Sequence, residues 1–599
     1  MLSSWVGALG GVCLVFAIVL VGPSGGSVAG SAMPVAEGPR TPALFVGPEG
    51  TDAAPCTRAA RCQSWNRAYE RARPGDVIEV AGGTYGSQTI ASRASTRNLS
   101  PGCTPASTST CIVFRPAAGQ TVTIDGKLEV RGSSVWVQGT ASPSRGIPSA
   151  SRRFNIRVTG YVDTEADSAS NYPDHVILEG MDTTSFGAFN VDTVTFRNLD
   201  VGPATVTSQG SGCYVKEGQG FENKIGSAGG GTYVPRNVTI DGLLIHNQNG
   251  DEGRIAGGCH WGGLFLVTVD GLVIRNTVFS QNVVYNIQIQ GAPAARNVIM
   301  ENNWFGCPVE WLYVSETTCN RQPDIQFNAA TNFANFLIRF NSFAAGIGQY
   351  VDGASYTNVR VIGNAGSYPS RCYPGMTFAY NAWDGRGCGS DRNVRRSPFE
   401  STIPGSEDLR LRPGAGAAGV VPPSPSPSPD LELAVDMEGR IRPLRFPRSA
   451  GALERDTALI LLGKTIGSAS IGMARDEVLS RYGQPRERRR AKLGEAKTPG
   501  WLDTFAVPGG SLRVTTVDDR VVGLATASPY YTTVSGLGAG SPLGDAARLS
   551  SATWVECNIA FKRSVAGVVV SFRARAGRRV VRDVMMIRRA YDLPCPGKR

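Results

Sequence analysis

The sequence predicts an all-β chain, a parallel β-helix of stacked short strands followed by a smaller α+β module. A recurring phrase is the first observation behind this. An Asn or Gly opens it, alternating apolar residues follow, and another Asn or Gly precedes an aliphatic or aromatic residue. It reads Asn237-Val-Thr-Ile-Asp-Gly-Leu-Leu-Ile, Gly271-Leu-Val-Ile-Arg-Asn-Thr-Val-Phe and Asn297-Val-Ile-Met-Glu-Asn-Asn-Trp-Phe, then Asn335-Phe-Leu-Ile-Arg-Phe-Asn-Ser-Phe and Asn358-Val-Arg-Val-Ile-Gly-Asn. With Asn276, Asn302, Asn341 and Asn364 as markers the spacings are 26, 39 and 23 residues. A coil of about 20–25 residues with an occasional inserted loop gives such spacings. The second observation is composition: 73 Gly in 599 residues with only 18% charged side chains suits a turn-rich β protein. The third is that period-2 strands follow one another through polar turns with no helical segment between them. Val122-Thr-Ile-Asp-Gly, Val135-Trp-Val-Gln-Gly, Val176-Ile-Leu-Glu-Gly and Val194-Thr-Phe-Arg-Asn read as further coils.

Residues 1–32 carry no charged side chain, and Val6 to Gly22 is almost wholly apolar ahead of a small-residue stretch ending at Ala32. This reads as an export signal, with an uncleaved anchor as the alternative because the n-region lacks Lys and Arg. Residues 33–43, rich in Pro, Ala and Gly, are expected to form a flexible lead. The strand at Leu44 and the turn after it lead to a short helix, on which Trp65, Ala68, Tyr69 and Ala72 recur at helical spacing and make one apolar face. A stacked coil needs such a cap, because its first strand otherwise offers an open edge and an open core. The β-helix is expected over 44–455. Loops leave it near 140–155, 205–232 and 314–330, and a Pro-Ser run at 423–428 makes an extended excursion before the last coil. From Asp456 to the end, 23 Lys and Arg stand against 12 Asp and Glu, so the whole net charge of +11 lies in this tail.

Setting Cys13 aside, twelve of the thirteen cysteines fall into neighbours: Cys56 with Cys62, Cys103 with Cys111, Cys213 with Cys259, Cys307 with Cys319, Cys372 with Cys388, and Cys557 with Cys595. Disulfides closing loops on an exported chain account for them, although sequence alone leaves the connectivity open. With three His and no Cys-x-x-Cys, no metal site and no cofactor are expected.

The strand, the Gly-Thr-Asp turn at 50–52, the capping helix, Pro74-Gly-Asp and Gly83-Thr-Tyr together resemble the N-terminus of secreted right-handed parallel β-helix proteins of the pectate-lyase-like superfamily. The resemblance closes at Asp436-Met-Glu-Gly-Arg-Ile-Arg-Pro and Gly451-Ala-Leu-Glu. It implies a right-handed coil and a carbohydrate-facing groove along one sheet. The Asn-Thr-Asp, Asp-Asp, Gly-His-Gly and Arg-Ile-Lys elements of pectin hydrolases are absent from 44–455, as is the Arg-x-Pro-x-x-Arg of pectate lyases. In the tail, Ile471-Gly-Met, Val478-Leu479 and Gly483 sit in a helix-then-hairpin pattern that occurs twice. This is similar to the tandem modules of β-lactamase-inhibitory-type proteins and small outer-membrane-assembly lipoproteins, and it implies binding.

Three residues are candidates for acid–base chemistry: Asp251, Glu252 and His260. Trp261, Glu310, Trp311, Tyr313 and Glu316 are candidates for lining a sugar groove, since aromatic faces and carboxylates suit carbohydrate. The repeat-position Asn residues are read as structural, each amide bonding its counterpart in the next coil. The expected function is an exported or envelope-associated protein that binds polysaccharide. A lyase or glycoside hydrolase in the same groove and a purely structural surface protein are the alternatives. Basic runs at Arg486–Lys492 and at Arg573, Arg575, Arg578 and Arg579 suit an anionic envelope polymer or lipid surface. No nucleic acid is expected, and the chain is read as a monomer.

Overall fold

The structure is a computed structural model. It describes residues 40–93, 103–140, 154–166, 172–209, 212–215, 223–226, 233–250, 262–291, 295–309, 319, 323–366, 372–385, 387–394, 396–412, 415–423, 426–440, 442, 447–454, 460–507, 509–533, 537–548, 553–555, 560–574 and 580–592.

The chain is a parallel β-helix. One sheet of twelve parallel strands runs from Leu44–Val46 to Met376–Ala379, and the other coil strands form a second parallel system ending at Arg392–Val394. Parallel strands joined by crossovers take the right-handed path. Like residues lie over like: Val194, Val238, Leu272, Val298, Phe336 and Val359 form one inward row. Phe279 stacks on Phe305 and Phe305 on Phe343, with ring centroids 4.9 and 4.8 Å apart. Such rows pack the interior without a compact globular core.

The recurring phrase is a strand bracketed by two left-handed residues. Asn237 and Asn297 stand second in their strands and Asn335 and Asn358 fourth, with φ between 52° and 60°, and Asn276 and Asn302 follow theirs at 52° and 55°. Asn tolerates this region and Gly is free in it, which is why Gly271 and Gly242 substitute. The four markers used to measure the period therefore belong to two adjacent positions. Asn276 and Asn302 are corners, and Phe340 and Gly363 occupy that place in later coils. The buried ladder is one residue on. Asn303 Nδ2 donates to Asn341 Oδ1 (2.9 Å), Asn341 to Asn364 (3.0 Å), Asn364 to Asn381 (2.9 Å) and Asn381 to Asp391 (2.8 Å). Each amide also bonds a backbone carbonyl, so these buried groups are satisfied. A second, exposed ladder joins Asn297, Asn335 and Asn358.

The capping helix is Trp65–Arg71, started by Ser64, whose hydroxyl accepts from Arg67 N. Trp65, Ala68, Tyr69 and Ala72 are buried as the spacing predicts, and Trp65 stacks on Phe114 at 5.0 Å. Disulfides join Cys56 to Cys62, Cys103 to Cys111, Cys307 to Cys319 and Cys372 to Cys388. The other two expected pairs involve residues outside those described, as do residues 1–39.

Among the described residues no coil strand follows Val394. The described residues between 399 and 454 instead lie as a strap over the last coils, burying Leu409, Leu411, Val421, Leu431 and Leu453 against an outward stripe that includes Leu244, Val278, Trp304 and Ala382. The Asp436…Glu454 motif is the strap's lock. Arg442 is fully buried over the Phe340 ring (4.4 Å), pairs with Glu454 (3.4 Å) and donates to Asn302 Oδ1 (3.0 Å). The expected excursion at 423–428 thus falls within the strap, and among the described residues no further coil comes after it.

The tail from Ile460 is α+β. Its sheet has eight antiparallel strands, Glu487–Leu493, Thr498–Val507, Gly510–Val517 and Arg520–Thr526, then Val581–Arg588, Val568–Ala574, Ala560–Val565 and Thr553–Val555. Each round is a helix with a four-stranded meander, longer than the expected hairpin. Asp518 and Asp519, both left-handed, make the expected tight turn.

Asn364→Ala removes a buried link of the inner ladder and is expected to cost about 3 kcal/mol, whereas Asn358→Ala on the exposed ladder should cost about 1 kcal/mol. Urea unfolding of the two variants checks the difference.

Candidate functional site

The sheet strands Val122–Val130 and Ile156–Glu165 are the longest of the coil, their outward faces are polar, and Asp182–Phe189 pairs beside them. Leu128 and Val130 point inward, so Lys127, Glu129 and Arg131 point out; likewise Tyr161, Asp163 and Glu165 flank the inward Val162. Register places Glu129 beside Asp163, with Thr89 above and Gly187 below.

One oxygen each of Glu129, Asp163 and Glu165 lies within 4.8 Å of the others. Lys127 Nζ pairs with Glu129 at 3.0 Å, Arg131 Nε donates to it at 2.8 Å, and Thr89 Oγ1 lies 3.3 Å away. Burial works against ionisation of Glu129, yet the hydrogen bonds from Arg131 and Lys127 hold it below the usual glutamate value. Asp163 has the opposite fate. Burial first, then the charges of Glu129 and Glu165, push its carboxyl up to about 8. Its Oδ1 is buried and accepts no hydrogen bond. Gly187 on the next coil has no side chain, and the Phe189 ring fills its place, for a Cβ there would meet the ring at 2.5 Å. Burial and the nearby Asp163 also raise the Tyr161 hydroxyl, which sits with its ring 5.9 Å from Lys127 Nζ.

These three carboxyls carry one charge more than Lys127 and Arg131 neutralise. Two chemical states satisfy that excess: a proton on Asp163, or a hard divalent cation on the oxygens. The donor set is all oxygen, and an orphaned buried carboxylate oxygen faces it, so the residues fit a calcium-like ion. Glu129 and Asp163 are only 3% and 1% exposed, so no sugar ring can enter between them. This geometry differs from the separated carboxyl pair of a glycosidase.

No family model and no curated protein matches the sequence. Among solved structures, pectate lyase Pel9A matches at 11% identity with a TM-score of 0.35, over 69% of this chain and 96% of that one. An extracellular protein with an SCP domain from Bacillus anthracis and a cysteine-rich secretory protein from Staphylococcus aureus match at 9% and 12% identity, with TM-scores of 0.17 and 0.16, over 20% of this chain. The chain spans 43% and 44% of those two proteins. Such matches are likenesses of chain path, and no activity follows from them.

A second polar group lies where the strand Asp182–Phe189 begins. Asp182 and Asp200 occupy adjacent coils, with Arg157 on the coil before. His246 Nε2 is 3.0 Å from Asp200 Oδ1, and its Nδ1 is 2.7 Å from Asn247 Oδ1. Asn247 Nδ2 donates to Gln281, which leaves its oxygen for the imidazole. Both ring nitrogens thus face acceptors, the arrangement of an imidazolium. Burial works against that charge, but the bonds to Asp200 and Asn247 raise His246 above its ordinary value. Burial and then Asp200 raise Asp182.

The candidates Asp251, Glu252, His260 and Trp261 lie outside the described residues, as do Glu310, Trp311, Tyr313 and Glu316. The strand Gln248–Gly250 leads directly into the first group from His246, and the Cys307–Cys319 bridge ties the base of the loop carrying the second. Glu129, Asp163 and Glu165 are not among the candidates that the sequence offers. The available signal was period-2 charge on consecutive coils, Lys127-Leu-Glu-Val-Arg and Tyr161-Val-Asp-Thr-Glu.

A carboxyl whose folded value is raised binds its proton more tightly when folded. Its burden on stability is absent below the unfolded value of about 3.9 and complete above the folded one. For Asp163 that window runs up to about 8. In chelator, the melting temperature should therefore fall from pH 5 to pH 8.5 more steeply in the native protein than in Asp163→Asn. Equal slopes in thermal scans would remove the assignment.

Proposed function

We propose that the protein is exported and binds a uronate-bearing polysaccharide along the polar flank of its first coils. The carrying observation is the Glu129–Asp163–Glu165 cluster with Lys127, Arg131 and Tyr161 on one outward face. Guanidinium and ammonium groups recognise sugar carboxylates through charge-assisted hydrogen bonds. Glu129, Asp163 and Glu165 would hold a divalent cation, which when bound attracts the same carboxylates. The phenol and the Lys127 stem offer surface for the sugar ring. Export is supported by four disulfides, which persist in oxidising surroundings.

Catalysis on the same flank is a second reading, favoured by Asp182 and Asp200. Asp182, raised by burial and by its neighbour, has the character of a general acid, and Asp200 beside His246 that of its carboxylate partner. Hydrolysis would then release reducing ends, and Asp182→Asn would abolish them.

Titration calorimetry with polygalacturonate tests the first reading. Binding is expected to weaken at least about tenfold in chelator and in Glu129→Gln, the scale of one lost charge-assisted contact. Neutral dextran should not bind. Affinity for polygalacturonate that ignores both chelator and the substitution rules the flank out as the binding site.

A further inference from the structure

The sheet of the C-terminal module has one face packed by its helices. Leu512, Val514, Val570, Phe572, Val584 and Met586 point to that side with Val478 and Ala546. Alternation turns Arg513, Arg573 and Asp583 to the other face, and Arg573 and Asp583 are direct cross-strand partners. Asp583 is buried, and three guanidinium groups converge on it. Arg573 Nε bonds one oxygen, Arg582 Nε bonds the other at 2.9 Å, and Arg513 approaches no closer than 3.8 Å. Among the described residues the Arg513 side chain donates no hydrogen bond. One carboxylate thus answers three cations, and Arg489 on the strand Glu487–Leu493 adds a fourth to the same field. Burial holds Arg513 below its usual value, and the charge of Arg573 adds to this. A half-buried guanidinium with unmet donors in a positive field is unfavourable until an anion joins it.

We infer that this sheet face is an anion-binding surface, and that its occupant is a uronate-bearing polysaccharide chain. Its arginines reach from the strand Glu487–Leu493 to Val568–Ala574, five strand spacings or roughly 24 Å. A linear polymer carrying a carboxylate on every sugar matches that span, and a single phosphate does not. Arginine forks pair with carboxylates in two-point contacts. Among the described residues of the strands that carry these arginines no large apolar side chain is exposed, so a bilayer would gain charge contacts alone. The choice of a glycan rests on the reading of the β-helix flank; the arginine site itself does not.

The full chain is titrated with polygalacturonate in chelator, which silences the flank, and with anionic phospholipid vesicles in parallel. Arg489→Gln with Arg513→Gln is expected to weaken polygalacturonate binding at least about tenfold and to flatten its salt dependence. Asp163→Asn in the flank should leave this component unchanged. Asp583→Asn should tighten it by removing the carboxylate on which Arg513, Arg573 and Arg582 converge, an effect that a purely structural role for the arginines would not produce. If Asp583→Asn does not fold, the arginine pair decides alone, since among the described residues the Arg513 side chain makes no hydrogen bond. Undiminished affinity in the double variant, or binding to vesicles with none to polygalacturonate, overturns the inference. Loss in the double variant with full cation-dependent affinity remaining leaves both sites standing. Loss in the double variant with no cation-dependent component supports the module and removes the flank.

Discussion

The vertical register of one coil over the next is the constraint on which everything else depends. A parallel ladder places each side chain about 4.8 Å above its counterpart. Apolar positions therefore become rows, amides become ladders, and any charge placed outward meets whatever its neighbours carry. The inner amide ladder tolerates no slip, because Asn341 and Asn364 each bond the coil on either side. Left-handed Asn and Gly corners supply the turns that let the ladder repeat.

The same register explains how a functional centre arises from residues that look ordinary in isolation. Glu129 and Asp163 are 34 positions apart in sequence and next to each other in space. Because their neighbours are fixed by the backbone, the charge excess among Glu129, Asp163 and Glu165 cannot relax by rotation alone. It must be met by a proton or by a cation. The C-terminal sheet shows the opposite imbalance on antiparallel strands, with Asp583 surrounded by guanidinium groups. Each imbalance draws in charge of the missing sign.

Much of the architecture was legible because it repeats. The bracketed strand phrase, the helical face of Trp65, Ala68, Tyr69 and Ala72, and the neighbour pairing of eight cysteines all stood in the sequence. The strap was not legible, because residues 399–454 follow no period and are held by long-range contacts such as Arg442 with Asn302. The polar flank escaped for a different reason. Alternating charge on a strand is also what a solvated face looks like, and only the neighbouring coil tells the two apart. His246 was passed over because its partner Asp200 lies a full turn of the solenoid away. The two adjacent Asn positions look alike in the sequence for a related cause: Asn302 and Asn303 are consecutive, and only the backbone angle separates corner from ladder.

The strap also governs how the molecule behaves in company. It roofs a stripe of Leu244, Val278, Trp304 and Ala382 with its own leucines, and polar contacts from Asn302, Arg339, Arg360 and Arg392 tie it down along with Arg442. A protease cut between Glu407 and Asp430 would leave that roof attached at one side only. Peeling it back would bare a greasy strip running down several coils, and molecules so opened would adhere to one another lengthwise. Damage to this segment is thus a route from dispersed particles to clumps, with the solenoid itself still intact.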